Sequence, residues 1–384
     1  MEQNFDICVI GGGIQGAGIA QAAALSGLSV ALLEKSDWGA GTSSKSSKLI
    51  HGGLRYLESF QFSLVRESLR ERRILLNIAS DIVKPNWFYL PVYKNSQHQP
   101  WQLSIGLSLY RLLAGRKNLA GFKRLRRAQW NQLEGLNTAN LHSVFAYQDA
   151  QTDDQMLTRR VAQSAQTHGA TLLCPATVIS AEKTYKGYCV SLNLKGEKKT
   201  IYCRYLVNAA GPWINPVAET ITPTPPMVEV DLVQGTHLEF SQQLSDKCFY
   251  LEAQQDHRAI FVMPYKGGTL LGTTEKVFTG NPDQVNPSAE EIEYLLEVVR
   301  YHFPHFNHKP TKAWAGLRVL PSGDKTPFSR SREVQHAESE NYLAVYGGKL
   351  TGYRATAEVA IKKIIKSMGL EKRRKIQDTS KVKI

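Results

Sequence analysis

A mixed α/β fold is what this sequence predicts, on three observations. Two short apolar runs, residues 5–10 and 28–33, flank an alanine-rich stretch at 15–26. Glycines at positions 11, 13 and 16 fill the turn between the first run and that stretch. Beyond Thr171 the pattern changes to short β-type runs separated by turn residues. The first two observations describe a βαβ unit, and the third an antiparallel component interleaved with it.

The elements follow in order. Residues 5–10 and 28–33 are near-continuous apolar runs, as strands buried on both faces are, and the second ends at Glu34. The stretch 15–26 reads as a helix that Gly27 closes. A Gly/Ser/Thr-rich loop at 39–47 leads to a helix at 63–78 with its charges on the outer face, and a further helix at 154–168 is closed by Gly169. An antiparallel meander laid onto the first unit is expected over 171–208, with a TPTPP linker at 222–226. Strands at 228–240, 259–264 and 269–273 and a helix at 288–301 read as a substrate-side region. A buried strand at Tyr342–Tyr346 and a helix at 355–367 return to the dinucleotide unit. The expected division is 1–80, 150–222 and 340–368 for the cofactor domain, 81–149 and 223–339 for the substrate domain, and a basic tail at 369–384.

The chain of 384 residues exceeds the roughly 250–300 residues at which single cores stop growing. Five cysteines, an odd number without a CxxC pair, favour neither a disulfide framework nor a thiolate metal site and suit a reducing compartment. No apolar run approaches the about 18 residues of a spanning helix; the best candidate, 101–115, is broken by Gln102 and Arg111. The net charge of +13 favours anionic partners. Its clusters at 111–127 and 362–383 are candidates for docking on an anionic membrane surface or are solvated basic faces. No recognition-helix or base-stacking signature points to nucleic acid.

The local chemistry is most specific at Gly11-x-Gly13-x-x-Gly16. The first glycine permits a tight turn, the second lets backbone approach a pyrophosphate, and the third lets helix and strand pack closely. The helix N-terminus offers N–H groups to phosphate. Glu34 can accept hydrogen bonds from a ribose and repels a 2′-phosphate, which disfavours NADP. The glycines alone leave NAD and FAD open. The run 41–58, GTSSKSSKLIHGGLRYLE, is neither a good helix nor a good strand and suits close contact with a ligand. His302, His305 and His308 are spaced as metal ligands can be, but Pro304 breaks their helix, so no metal is expected. Asp153 and Asp154 read as helix N-terminal residues rather than a catalytic pair.

The segments IGGGIQGAGIA, SSKLIHGGLRYLE, LVNAAGPW, QGTHLEF, LLGTTE, AGLRVLPS and YGGKLTGYR run in order from residue 10 to residue 354. With them the chain resembles the FAD-dependent glycerol-3-phosphate dehydrogenases of the D-amino-acid oxidase-like flavoprotein superfamily. The resemblance implies a Rossmann-like FAD domain interleaved with an antiparallel-sheet substrate domain. It implies FAD held by Gly11, Gly13, Gly16 and Glu34, with Thr42, Ser43, Ser44 and Lys48 near the flavin and Gly348, Lys349 and Leu350 closing the other side. Arg55, Arg318 and Arg332 sit within or beside the matching motifs, and arginine is the side chain best shaped for phosphate. With Tyr56 they are assigned to the substrate, and Lys349 adds charge near flavin or substrate.

Loss of a hydroxyl proton with hydride delivery to flavin N5 needs a base, and histidine meets that need near neutrality. His51 is expected as that base, with His237 orienting or assisting, although either imidazole could instead fix a loop. The implied reaction is oxidation of sn-glycerol 3-phosphate to dihydroxyacetone phosphate, with electrons passing to quinone or another acceptor. Alternatives are a flavin enzyme for a hydroxy acid or amino acid, an oxygen-using glycerol-3-phosphate oxidase, and a non-catalytic flavin sensor. A cytoplasmic place, peripheral on the inner face of the membrane, and homodimers belong to the same expectation. Two departures stand out. Val319 replaces the proline usual in the family motif, and the chain ends at Ile384, where family members continue into a further helical domain.

Overall fold

The computed structural model describes residues 3–115, 119–323 and 333–384. Arg332, assigned to the substrate from the sequence, lies outside the described residues.

Seven α-helices occur among them, α1 Ile14–Leu25, α2 Phe62–Ile78, α3 Pro100–Ala114, α4 Asp154–Thr167, α5 Ile214–Glu219, α6 Ala289–His302 and α7 Tyr353–Ser367. The strands form two sheets. In the first, Gln3–Ile10 is flanked by parallel Val30–Leu33 and parallel Glu197–Asn208. Alternation on Gln3–Ile10 serves both faces: Ile7 and Val9 pack with α1 and α7 residues, whereas Cys8 and Ile10 pack with Val190, Leu192 and Tyr342. In the second sheet the long antiparallel pairs are Val83–Tyr93 with Leu141–Thr152, and Val230–Phe240 with Lys312–Pro321.

The antiparallel meander expected over 171–208 is present, but it joins the first sheet instead of resting on it. Thr171–Leu173 joins Val30–Leu33 in parallel, and Glu197–Asn208 pairs in parallel with Gln3–Ile10. Only Ala176–Thr184, Gly187–Leu194 and the start of Glu197–Asn208 form the antiparallel ladder. The reason is burial. Residues 205–208 are buried consecutively, as in a strand covered on both faces.

The charges of α2 also differ from expectation. Glu71 and Arg72 are fully buried. Both Glu71 oxygens accept from Arg354 at 2.8 Å, and Arg72 donates to Asp149 at 2.6 Å. Part of the basic tail is tied down as well. Thr379 accepts from Arg354 at 3.0 Å, and the N–H of Ile384 donates to the carbonyl of Ile78.

His302 ends α6 with its Nε2 3.0 Å from the Glu252 carbonyl. Burial lowers its pKa from 6.5 to about 4. The unfolded chain therefore binds a proton below pH 6.5 that the native state refuses, so stability falls as pH drops from that value towards 4. At pH 5 the loss from this one group is about 2 kcal/mol. Thermal melts between pH 7 and 5 should show it, and His302→Gln should lower the melting temperature at pH 7 yet flatten the acid slope.

Candidate functional site

A cavity of about 720 Å³ is lined from both sheets. At one end the strand Gln3–Ile10 feeds the glycine turn. Gly11 has φ +108°, and a Cβ on Gly16 would lie 1.9 Å from the Gly11 carbonyl oxygen. The first turn of α1 therefore packs directly on that loop. Gly11 and Gly13 line the cavity, while Gly16 lies behind them as the helix–turn contact.

The N-terminus of α1 has no side-chain cap from Gly13. The hydroxyl of Ser43 accepts from the Ile14 N–H at 2.9 Å instead. Thr42 and Ser43 line the cavity, and the Thr42 hydroxyl donates to the Leu317 carbonyl at 2.6 Å. Glu34 accepts from the Gly12 N–H at 2.8 Å and the Ser36 N–H at 2.9 Å, and it too lines the cavity. A backbone turn without side chains, a helix N-terminus and a carboxylate at the strand end fit the ADP half of FAD. Exchanging Glu34 for glutamine leaves an amide facing an N–H donor. A charge-assisted bond from the ribose to Glu34, about 1.5–3 kcal/mol, is at stake, so the FAD dissociation constant should rise about 10- to 100-fold, as read by fluorescence titration.

Two residues expected beside the flavin, Ser44 and Lys48, do not line this cavity. The hydroxyl of Ser44 donates to the Ala40 carbonyl at 3.0 Å, inside its own turn. Lys48 is buried, donating to Asp154 at 2.7 Å and to the Ser44 carbonyl at 2.6 Å. Asp154, read from the sequence as a helix-end residue only, also accepts from the Ser46 hydroxyl at 2.6 Å. This side of the site is thus a braced loop. Asp153 caps α4 by accepting from the Met156 N–H at 2.9 Å.

The same cavity is also lined by His51, Arg55, Tyr56, Lys349 and Arg318. Tyr56 is the hub. Its ring lies 6.4 Å from the His51 ring, 5.8 Å from the Arg55 guanidinium carbon and 4.4 Å from the Lys349 ammonium. Lys349 Nζ also donates to the Ser68 hydroxyl at 3.0 Å, and Gly348 and Leu350 line the wall beside it. Arg318 donates to Glu275 at 3.1 Å and to the Thr273 hydroxyl at 3.2 Å. Glu275 accepts from Arg258 as well, at 2.6 Å.

His237 is not among the lining residues. Its ring stacks on Trp314 at 4.3 Å, with Nε2 3.0 Å from the Ser47 hydroxyl. Burial first, then Arg318 and Lys48, hold its pKa well below the ordinary histidine value. The imidazole is neutral and can steer the loop through Ser47. The other histidines read as a poor metal set behave as local contacts: His302 is buried against Glu252, and His308 stacks edge-on with Phe306 at 5.0 Å. No cluster with metal-ligand geometry occurs among the described residues.

Three lining residues were missed from the sequence. Glu275 stands within LLGTTE, a segment already singled out. Lys45 sits in the Ser-rich loop, its pKa lowered by burial and by Lys312 and Lys48. Asp149 is the single acid of the strand Leu141–Thr152 and is buried, but it stands among other polar residues, so no local signal marked it.

Residues 6–360 match the model of the family described as FAD dependent oxidoreductase. The D-erythritol 1-phosphate dehydrogenase of Brucella abortus (strain 2308) is 38% identical, over 93% of this chain and 72% of its own length. A glycerol-3-phosphate dehydrogenase of Pseudomonas aeruginosa is also 38% identical, over 93% of this chain and 71% of its own. The solved glycerol-3-phosphate dehydrogenase from Bacillus halodurans, complexed with FAD, superposes with a TM-score of 0.79 at 26% identity. It covers all of this chain, which spans 68% of that one.

Proposed function

Because the chain belongs to the FAD dependent oxidoreductase family, we propose that it oxidises a secondary hydroxyl of a small phosphorylated polyol, glycerol 3-phosphate first among them. The observation that carries the reading is the grouping of His51, Arg55, Lys349 and Arg318 on one cavity that also reaches Gly11 and Glu34. Bound FAD supplies the acceptor for the two electrons leaving carbon with the hydride. Arg318 and Arg55 hold the phosphate by charge-assisted hydrogen bonds. An imidazole nitrogen of His51 takes the hydroxyl proton, and the ketone is the product. Tyr56 keeps the three cationic or basic side chains apart and seats them against one ring. His237, neutral, positions Ser47 and does not move the proton.

A second reading has D-erythritol 1-phosphate as substrate. It is supported by the dehydrogenase of that name at 38% identity, and the two polyols share the phosphate end. Anaerobic mixing of the yellow protein with glycerol 3-phosphate, erythritol 1-phosphate, lactate and glycine tests both. Bleaching of the flavin by one phosphorylated polyol, and not by the acids, is expected; bleaching by the acids alone sinks both readings.

No helix among the described residues is long and apolar enough to cross a membrane. Trp101, Ile105 and Leu112 on α3 are 64%, 60% and 75% exposed, which together with the basic run that follows the helix supports an anionic bilayer as the docking surface; a membrane quinone as electron acceptor is proposed with it. Co-sedimentation with vesicles containing acidic lipid, weakened by Trp101→Ser, is the expected result.

A further inference from the structure

The floor beneath His51 is built from charged groups sealed from water. Arg72 on α2 and Asp149 on Leu141–Thr152 are 0% and 2% exposed. Nη1 of Arg72 donates to Oδ1 of Asp149 at 2.6 Å, to the Gln148 carbonyl at 3.1 Å and to the Tyr110 hydroxyl at 3.2 Å. The Tyr110 hydroxyl in turn donates to Oδ2 of Asp149 at 3.3 Å. One further bond leaves the group and reaches the loop above. The backbone N–H of Gly52, the residue after His51, donates to Oδ1 of Asp149 at 3.1 Å.

This seat has no slack. A Cβ on Gly52 would lie 2.2 Å from the Tyr110 hydroxyl oxygen and 2.4 Å from Cδ2 of Leu69. Nor is the group explained by stability, because burying an ion pair returns little net energy against its desolvation cost. Nε and Nη2 of Arg72 even lack hydrogen-bond partners among the described residues. What the arrangement does secure is geometry: Asp149 and His51 line the same cavity, one peptide apart through Gly52.

We propose that Asp149, braced by Arg72 and Tyr110, is a positioning residue that holds the Gly52 peptide and so aims the His51 imidazole at the substrate hydroxyl. The proposal rests on the reading of His51 as proton acceptor given above. Misplacing a reacting group by an ångström costs about 10²-fold in rate, and a seat of this rigidity guards against it.

A double-mutant cycle on the holoenzyme tests it, reading flavin reduction at saturating glycerol 3-phosphate under anaerobic stopped flow. Asp149→Asn is expected to slow reduction by about 10²-fold, with FAD content and the half-saturating substrate concentration little changed. In a His51→Gln background the same change should add nothing, since the group it aims is gone. Reduction at the wild-type rate, or an equal further loss in the His51→Gln background, overturns the proposal. If Asp149→Asn yields no folded holoenzyme, Gly52→Ala runs the same cycle with the ion pair intact, and the same two outcomes overturn the proposal there. The His51→Gln arm alone judges the base: wild-type reduction there overturns the reading of His51, whatever Asp149 does.

Discussion

Arg318→Ala is expected to raise the KM for the phosphorylated substrate by about 10²-fold, the cost of removing one partner from a desolvated charge pair. The protein should stay folded and yellow. Glu275, the carboxylate that Arg318 faces, is paired also with Arg258 at 2.6 Å, so the substitution does not strand a buried charge. The hydrogen bonds of Arg318 go to Glu275 and Thr273 rather than to Gly11, Gly13 or Glu34, so FAD binding is expected to change little. Arg318→Lys keeps the charge but loses the planar fork, and an intermediate KM is expected. Steady-state kinetics with the flavin spectrum as control decides it; an unchanged KM would remove Arg318 from the substrate.

His51→Gln acts on rate rather than binding. Loss of a positioned general base costs about 10²–10⁴-fold, so flavin reduction at saturating substrate should slow by that range while KM changes little. The pH profile carries a second signature. With His51 as the proposed base, reduction is expected to slow on the acid side in the native protein, and in His51→Gln that limb should disappear. His237→Gln differs in kind. That imidazole is already neutral through burial, so its replacement should lower the rate by disturbing the Ser47 contact without removing the acid limb.

The parts of the molecule legible from sequence are those whose physics is local. A tight glycine turn between a strand and a helix needs only contiguous residues, and Gly11, Gly13, Gly16 and Glu34 came together where the spacing put them. Tyr342–Tyr346 likewise matches its reading, since five consecutive buried residues leave little choice but a covered strand. Helix α2 shows the opposite. Its charged periodicity suggested a solvated face, but Glu71 and Arg72 point inward because Arg354 and Asp149, 283 and 77 residues away in sequence, wait there.

The sequence by itself determined the dinucleotide turn, the family and the residue types that could hold a phosphate. Only the tertiary structure decided which of them meet. It set Lys48 into an ion pair with Asp154 rather than on the cavity wall, buried His237 against Trp314, and brought Asp149 under Gly52. The reason is that a turn depends on neighbouring dihedral angles, whereas the cavity depends on the register between distant strands. In a sheet a one-residue slip sends a side chain to the other face, and no local pattern records which face looks onto the site.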